Sequence, residues 1–157
     1  MTRPDALTAI ASLRSGNTHR FQVRVYYEDT DAGGIVYHAN YLNFAERART
    51  EFLRLIGIGQ DAMRQEGGVG FAVRRCEIDF RAPARLDDVL EVRTVLRDPR
   101  GARVSAVQSI HMAPGGQADE DWLVRLDLML ACINRNGRPV RLPERVRTAF
   151  ADVLGTD

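Results

Sequence analysis

The chain has 157 residues, 45% of them apolar and 27% charged, a balance that fits one globular domain with a core of its own. Its formal net charge of +1 excludes the basic excess of a nucleic-acid-binding domain, and no stretch approaches the ~20 apolar residues that span a bilayer. All 22 basic residues are arginine, which also excludes a lysine Schiff base and a lysine-bearing phosphate loop.

Residues 1–18 read as a mobile N-terminal arm, with a short helix over residues 7–13 and a break at Ser15-Gly16-Asn17. Residues 6–13 are only modestly apolar and follow Asp5, so no signal peptide is predicted. Residues 19–157 then form a single domain. Over residues 21–27 aromatic and β-branched side chains alternate with polar ones, a strand signal. A glycine-containing loop follows. The spacing next predicts a helix over residues 39–56: Tyr41, Phe44, Ala45, Ala48, Phe52, Leu55 and Ile56 recur at steps of three and four. Gly57 and Gly59 stop it, and a minor helix is predicted over residues 60–65.

Four longer strands are predicted over residues 71–81, 89–97, 103–112 and 122–133. In the last of these Val124, Leu126, Leu128, Leu130 and Cys132 share one face, with Arg125 and Asp127 on the other. Residues 143–154 read as a terminal helix opening on Pro143. Cys76 and Cys132 lie inside strand-like runs and read as buried free thiols, which points to a reducing, cytoplasmic setting.

Short turns force antiparallel neighbours, and a sheet with one apolar face needs a cover. The predicted architecture is α+β: a five-stranded antiparallel sheet wrapped around one long central helix. One helix protects so long a sheet poorly, so a second copy is expected over its outer face or edge.

The loop between first strand and helix concentrates the chemistry. It holds Glu28, Asp29 and Asp31, the pair Gly33-Gly34, His38, and Tyr26, Tyr27, Tyr37 and Tyr41. A backbone turning on glycines into a helix start offers unpaired N–H donors, and a carboxylate just upstream can face whatever those donors polarise. Such an arrangement suits hydrolysis of an activated acyl group. An isolated Asp-x-Asp beside glycines is usually a turn former, and that reading is kept for Asp29. Glu46, two turns after His38 on the helix, is assigned a buried hydrogen-bonding role. His19 and His111 have no clustered partners and read as surface or strand residues. No metal site is expected, because a second histidine near Asp29, Asp31 and His38 is missing. No serine stands in a Gly-x-Ser-x-Gly context.

The run Tyr27-Glu28-Asp29-Thr30-Asp31-Ala32-Gly33-Gly34-Ile35-Val36-Tyr37-His38-Ala39-Asn40-Tyr41, followed by Glu46-Arg47-Ala48-Arg49-Thr50-Glu51, closely resembles the signature of hotdog-fold acyl-CoA thioesterases. The likeness is to the 4-hydroxybenzoyl-CoA thioesterase-like group and, within it, to the subgroup associated with the Tol-Pal cluster. Ala82-Pro83-Ala84-Arg85-Leu86-Asp87-Asp88-Val89-Leu90 is similar to that subgroup as well. The resemblance implies a hotdog fold and hydrolysis of acyl-CoA without a cofactor. It implies Asp31 as nucleophile or general base, His38 as a second catalytic group whose amide is the oxyanion donor, and Tyr27 lining the same site. Gly34, Val36, Tyr37 and Tyr41 are the expected substrate contacts. It further implies acyl-CoA, and acyl carrier protein as a second acyl donor, as partners, and assembly as a homodimer or tetramer.

Coenzyme A carries phosphates, and Arg74, Arg75, Arg81 and Arg85 are candidates to hold them. Two other readings compete. A hotdog hydratase resembles an Asp-x-Asn-Pro-x-His pattern, with the histidine five positions after the aspartate, whereas here His38 lies seven positions after Asp31 and no proline intervenes. A non-catalytic acyl-CoA or acyl-carrier-protein binding module would have no use for Asp31 and His38 together.

Overall fold

The structure, a computed structural model, describes residues 12–155. Strands β1 (Ser12–Ser15), β2 (Thr18–Arg24), β3 (Val69–Phe80), β4 (Val89–Arg100), β5 (Arg103–Met112) and β6 (Trp122–Asn134) form one antiparallel sheet in the order β1-β2-β4-β5-β6-β3. Helix α1 (Asn40–Leu55) runs along its concave face, and α2 (Gln60–Ala62), a π-turn over Met63–Gly67 and α3 (Glu144–Leu154) complete the chain. This is the sheet-wrapped helix of a hotdog fold. No described helix is long and apolar enough to cross a membrane.

The sheet has six strands where the sequence pattern predicts five. The extra one, β1, lies within the stretch assigned to the arm; the helix expected over residues 7–13 falls mostly outside the described residues. A four-residue strand is too short to display alternation, and its signal is the turn instead. Ser15 pairs with Thr18 across Gly16-Asn17, with Gly16 at φ +61° as a two-residue hairpin loop requires. The second difference is topological. Strand β3 does not pair with its successor β4 but lies at the far edge beside β6, and residues 81–88 cross back over two strands, β6 and β5, to reach β4. A mostly apolar strand ending at a proline loop reads the same at an edge as beside its successor.

Alternation along the strands fills the core. Leu90, Val92 and Leu96 of β4, Val104, Ala106 and Ile110 of β5, and Val124, Leu126, Leu128, Leu130 and Cys132 of β6 are all buried toward α1. The helix contributes Tyr41, Phe44, Ala45, Ala48 and Phe52, as its spacing predicts. Leu53 completes the stripe in place of Leu55, which is exposed, because the helix tapers off the sheet at its last turn. Ala45 and Ala48 allow close approach to the sheet, and a buried polar pin fixes it. Gln108 of β5 donates from Nε2 to the Ala45 carbonyl (2.9 Å) and the Thr94 hydroxyl (2.9 Å), and its Oε1 accepts from Arg49 Nη1 (2.8 Å). With every polar atom of the amide engaged, burial of Gln108 costs little and sets the rotation of α1.

Candidate active site

Residues 25–40 carry the backbone from β2 to α1. Tyr27–Asp29 form one 3-10 turn, and the chain then folds back on itself: the Asp31 amide donates to Ile35 O (2.9 Å), Gly34 to Asp31 O (3.0 Å) and Tyr37 to Asp29 O (2.9 Å). Gly34 sits at φ +81°, which the reversal needs.

Asp29 is the clamp of this loop. It is 4% exposed, and its Oδ2 accepts the Tyr26 amide (2.8 Å) while Oδ1 accepts Asn40 Nδ2 (2.7 Å). One carboxylate therefore ties the start of the 3-10 turn to the first residue of α1, the structural role expected of it. Val36 and Tyr41, expected at the substrate, lie beneath the loop, each 2% exposed. Val36 donates its amide to Ala84 O (2.9 Å), and the Ala84 amide donates to the Tyr41 hydroxyl (3.0 Å). Burial raises the Tyr41 phenol above its usual range, and the bond from Ala84 opposes that rise. These two residues hold the 81–88 crossover against the site from below.

Asp31, by contrast, presents its carboxylate at the surface. Oδ1 accepts the Gly33 amide (2.8 Å), which fixes the side chain over the loop and leaves Oδ2 without a described partner. A Cβ on residue 33 would lie 3.1 Å from Oδ1, so Gly33 keeps room for the acid. His38 stands on the returning limb, just before α1. Its ring packs on Tyr37 (centroids 4.7 Å apart) and edge-on to Phe80 of β3 (6.1 Å), not on Asp31. No acceptor for the amides of His38 or Ala39 is found among the described residues, so both N–H groups are open at the positive end of the helix dipole. Tyr27 is 84% exposed, and Tyr26, Tyr37, Leu42 and Phe80 also show apolar surface around this mouth.

Phe80 is a site residue that the sequence reading missed; its signal is an aromatic at the end of a strand, indistinguishable there from a core residue. Asn40 is another. Of the four arginines considered for phosphate contacts, Arg75 pairs with Glu77 and Arg81 with Asp121 (3.7 Å). Arg85 forms an isolated bridge with Ile35, which sets it directly against the Asp31 loop with an exposed side chain. Among the described residues no cluster of histidine, cysteine, aspartate and glutamate is arranged to hold a metal ion.

Glu46 is exposed, not buried as expected. His111 is the opposite case. It is buried, with Nδ1 2.8 Å from Asp119 O and Nε2 2.8 Å from the Ser109 hydroxyl, because the segment after β5 folds over it.

A curled antiparallel sheet around one helix, with a carboxylate loop feeding open amides at the helix start, defines a hotdog protein of the thioester-cleaving type. Residues 25–150 match the Thioesterase-like superfamily, and the chain belongs to that family. Over 135 residues it is 40% identical to an acyl-CoA thioesterase, YbgC, of Haemophilus influenzae, an alignment covering 85% of this chain and 95% of that one. A probable thioesterase from Bartonella henselae superposes with a TM-score of 0.73 at 42% identity, covering 80% of this chain and 99% of the other. A 1,4-dihydroxy-2-naphthoyl-CoA thioesterase from Synechocystis gives 0.76 at 26% identity, over 86% and 96% of the two chains.

Proposed function

We propose that this chain hydrolyses acyl-CoA thioesters to the free acid and coenzyme A, with Asp31 as nucleophile or general base and the His38 amide as oxyanion donor. The observation that carries the reading is the pairing on one clamped loop of an exposed, oriented carboxylate with open amides at the start of α1.

A thioester needs only modest apparatus. Its leaving group is a thiolate whose conjugate acid has a pKa near ~8.5, so expulsion requires little proton donation. The chain must supply a nucleophile and stabilise the tetrahedral oxyanion. Amide donors aimed at that oxygen, aided by the dipole of α1, contribute on the order of 10²–10³ in rate. Asp31 either attacks the carbonyl carbon and expels the thiolate, giving a mixed anhydride that water then hydrolyses to the free acid, or removes a proton from a water that attacks the carbonyl and displaces the thiolate. The His38 ring orients water or substrate beside it. An acyl group on acyl carrier protein presents the same thioester and is the further donor this reading admits.

Assembly belongs to the same reading. A site rimmed by exposed Tyr26, Tyr27, Tyr37 and Phe80 is a contiguous apolar patch of the sort that a partner covers. A second copy closing over it, as homodimer or within a tetramer, would shield Asp31 from bulk solvent. The two cysteines are free, in keeping with a reducing cytoplasmic setting.

The direct test is release of free thiol from acyl-CoA, followed with a thiol reagent beside a parallel assay for double-bond hydration. Thiol release supports the reading; hydration, or neither, overturns it. Arg85→Ala carries a second expectation. With a guanidinium against the loop serving the coenzyme's phosphates, its loss should raise KM about tenfold and leave kcat within a fewfold. An unchanged KM would remove Arg85 from the binding surface.

A further inference from the structure

Charge in this molecule is sorted along the strands. The antiparallel order puts residues 25–40, 81–88 and 113–121 at one end of the sheet, where the candidate site lies. The end of β4 with the start of β5 (97–103), and residues 135–141 after β6, lie at the other. The site end holds eight carboxylates and two arginines, a formal −6, whereas the far end holds six arginines and one aspartate, a formal +5. The whole chain carries only +1.

The two far-end segments are packed together. Asn136-Gly137 reverses the chain after β6, Val140 donates its amide back to Cys132 O (2.9 Å), and Leu142 donates to Gly101 O (2.9 Å). The arginines gathered there have no carboxylate to answer them. Arg97, Arg100, Arg103, Arg135, Arg138 and Arg141 are all exposed, and none enters any arginine–carboxylate pair among the described residues. Arg135 reaches a carbonyl, that of Arg64 (3.3 Å). Asp98 within the turn and Glu144 at the start of α3 are the nearest acids in sequence, and neither forms an ion pair among the described residues. Arg100 and Arg103 are register partners across the turn. Like charges set opposite one another weaken a hairpin, so this end stores a local penalty that an outside anion would relieve.

Composition selects the partner. The two segments contain no aromatic residue on which nucleobases could stack, and their largest apolar side chain, Val140, is half-buried and offers no anchor to a protein. An acidic carrier protein seated here would have to pass its thioester along the length of the sheet to reach Asp31. The fitting partner is a broad surface dense in negative charge.

We propose that this arginine end docks on an anionic lipid bilayer, with headgroup phosphates facing Arg97, Arg100, Arg103, Arg138 and Arg141 and the candidate site turned away from the membrane. The twelve residues of β4, at ~3.3 Å each, set the two ends about 40 Å apart. That is several times the Debye length of ~8 Å, so the acidic end does not oppose attachment at physiological salt. It orients the approaching molecule instead.

The test is co-sedimentation of the full chain with vesicles of phosphatidylcholine alone or with about 30% phosphatidylglycerol. Binding to the anionic vesicles alone, lost above about 0.5 M salt, is expected. An arginine near such a surface contributes about fivefold to partitioning, so Arg100→Gln with Arg138→Gln should weaken binding roughly 25-fold. That double variant also relieves repulsion in the turn and should keep or raise the parental denaturant midpoint. Arg20→Gln with Arg125→Gln removes the same charge from exposed positions on β2 and β6 and should leave binding within about twofold. Equal weakening by the two double variants would mean that net charge drives attachment, and overturns the proposal. So does equal binding to neutral vesicles, or binding to neither. Displacement by inorganic phosphate at constant ionic strength would mark a single-phosphate site and overturns it, as does binding of duplex DNA without binding of vesicles. The readout does not involve thiol release, so the proposal stands or falls apart from the hydrolase reading.

Discussion

Replacing Asp31 with Asn is expected to lower kcat for acyl-CoA hydrolysis by about 10²–10⁴ while KM stays within a fewfold. The substitution is close to isosteric, and the amide oxygen still accepts the Gly33 N–H that orients the side chain, so the loop keeps its shape. What disappears is the negative oxygen that would attack the carbonyl or take a proton from water. Asp31→Ala is a poorer probe, because it also frees the Gly33 amide and loosens the turn. Equal denaturant midpoints for parent and Asn variant would show that the loss is chemical. Thiol release by the Asn variant at near-parental rate would remove Asp31 from the chemistry and with it the assignment of the loop.

The second large effect concerns stability. His19 of β2 is fully buried, stacked on Phe52 of α1 with centroids 4.9 Å apart and planes 6° from parallel. Burial holds its imidazole down at a pKa of about 4, against an ordinary 6.5. Between those two values the unfolded chain binds a proton that the folded chain refuses, so stability rises with pH across the window. The contribution is whole above pH 6.5 and is lost as pH falls toward 4, where it amounts to about 3 kcal/mol. His19→Leu should abolish this component. Denaturant unfolding at pH 7.5 and 4.5 should show the parent losing some 2–3 kcal/mol more than the variant over that interval. Parallel losses in the two proteins would mean that the ring takes up its proton without penalty.

That histidine also marks where sequence reading stops. His19 and His111 look alike along the chain, each a histidine in a polar-apolar alternation with no chemical cluster near it in sequence. One is stacked under the central helix and the other held between a serine and a returning segment, contacts with residues 33 and eight positions away. Local elements were far more legible. The helix stripe from Tyr41 to Phe52 and the β6 face from Val124 to Cys132 are buried as their periods predict, because each pattern is complete within one element. Leu55 failed at a helix end, where the sheet no longer lies beneath the stripe. Pairing partners were not legible either: β3 leaves its sequence neighbour for the opposite margin, a choice made by the crossover and not by any residue within the strand. At the site, the carboxylate loop stood out through its own composition. Phe80 did not, since its contact with His38 joins residues 42 positions apart.

The two margins of the sheet carry a further consequence. A row of unpaired backbone groups invites strand after strand to add, and a six-stranded sheet that does not close has two such rows. On one side, among the described residues, the terminal strand is the four-residue Ser12–Ser15, a short edge. On the other, β3 is long, but its ladder slips at Val73/Arg75, and Arg74, Arg75 and Glu77 point charge outward there. A kinked, charged border disfavours a flat stack of strands. A lengthy open strand therefore need not become a seed for fibres.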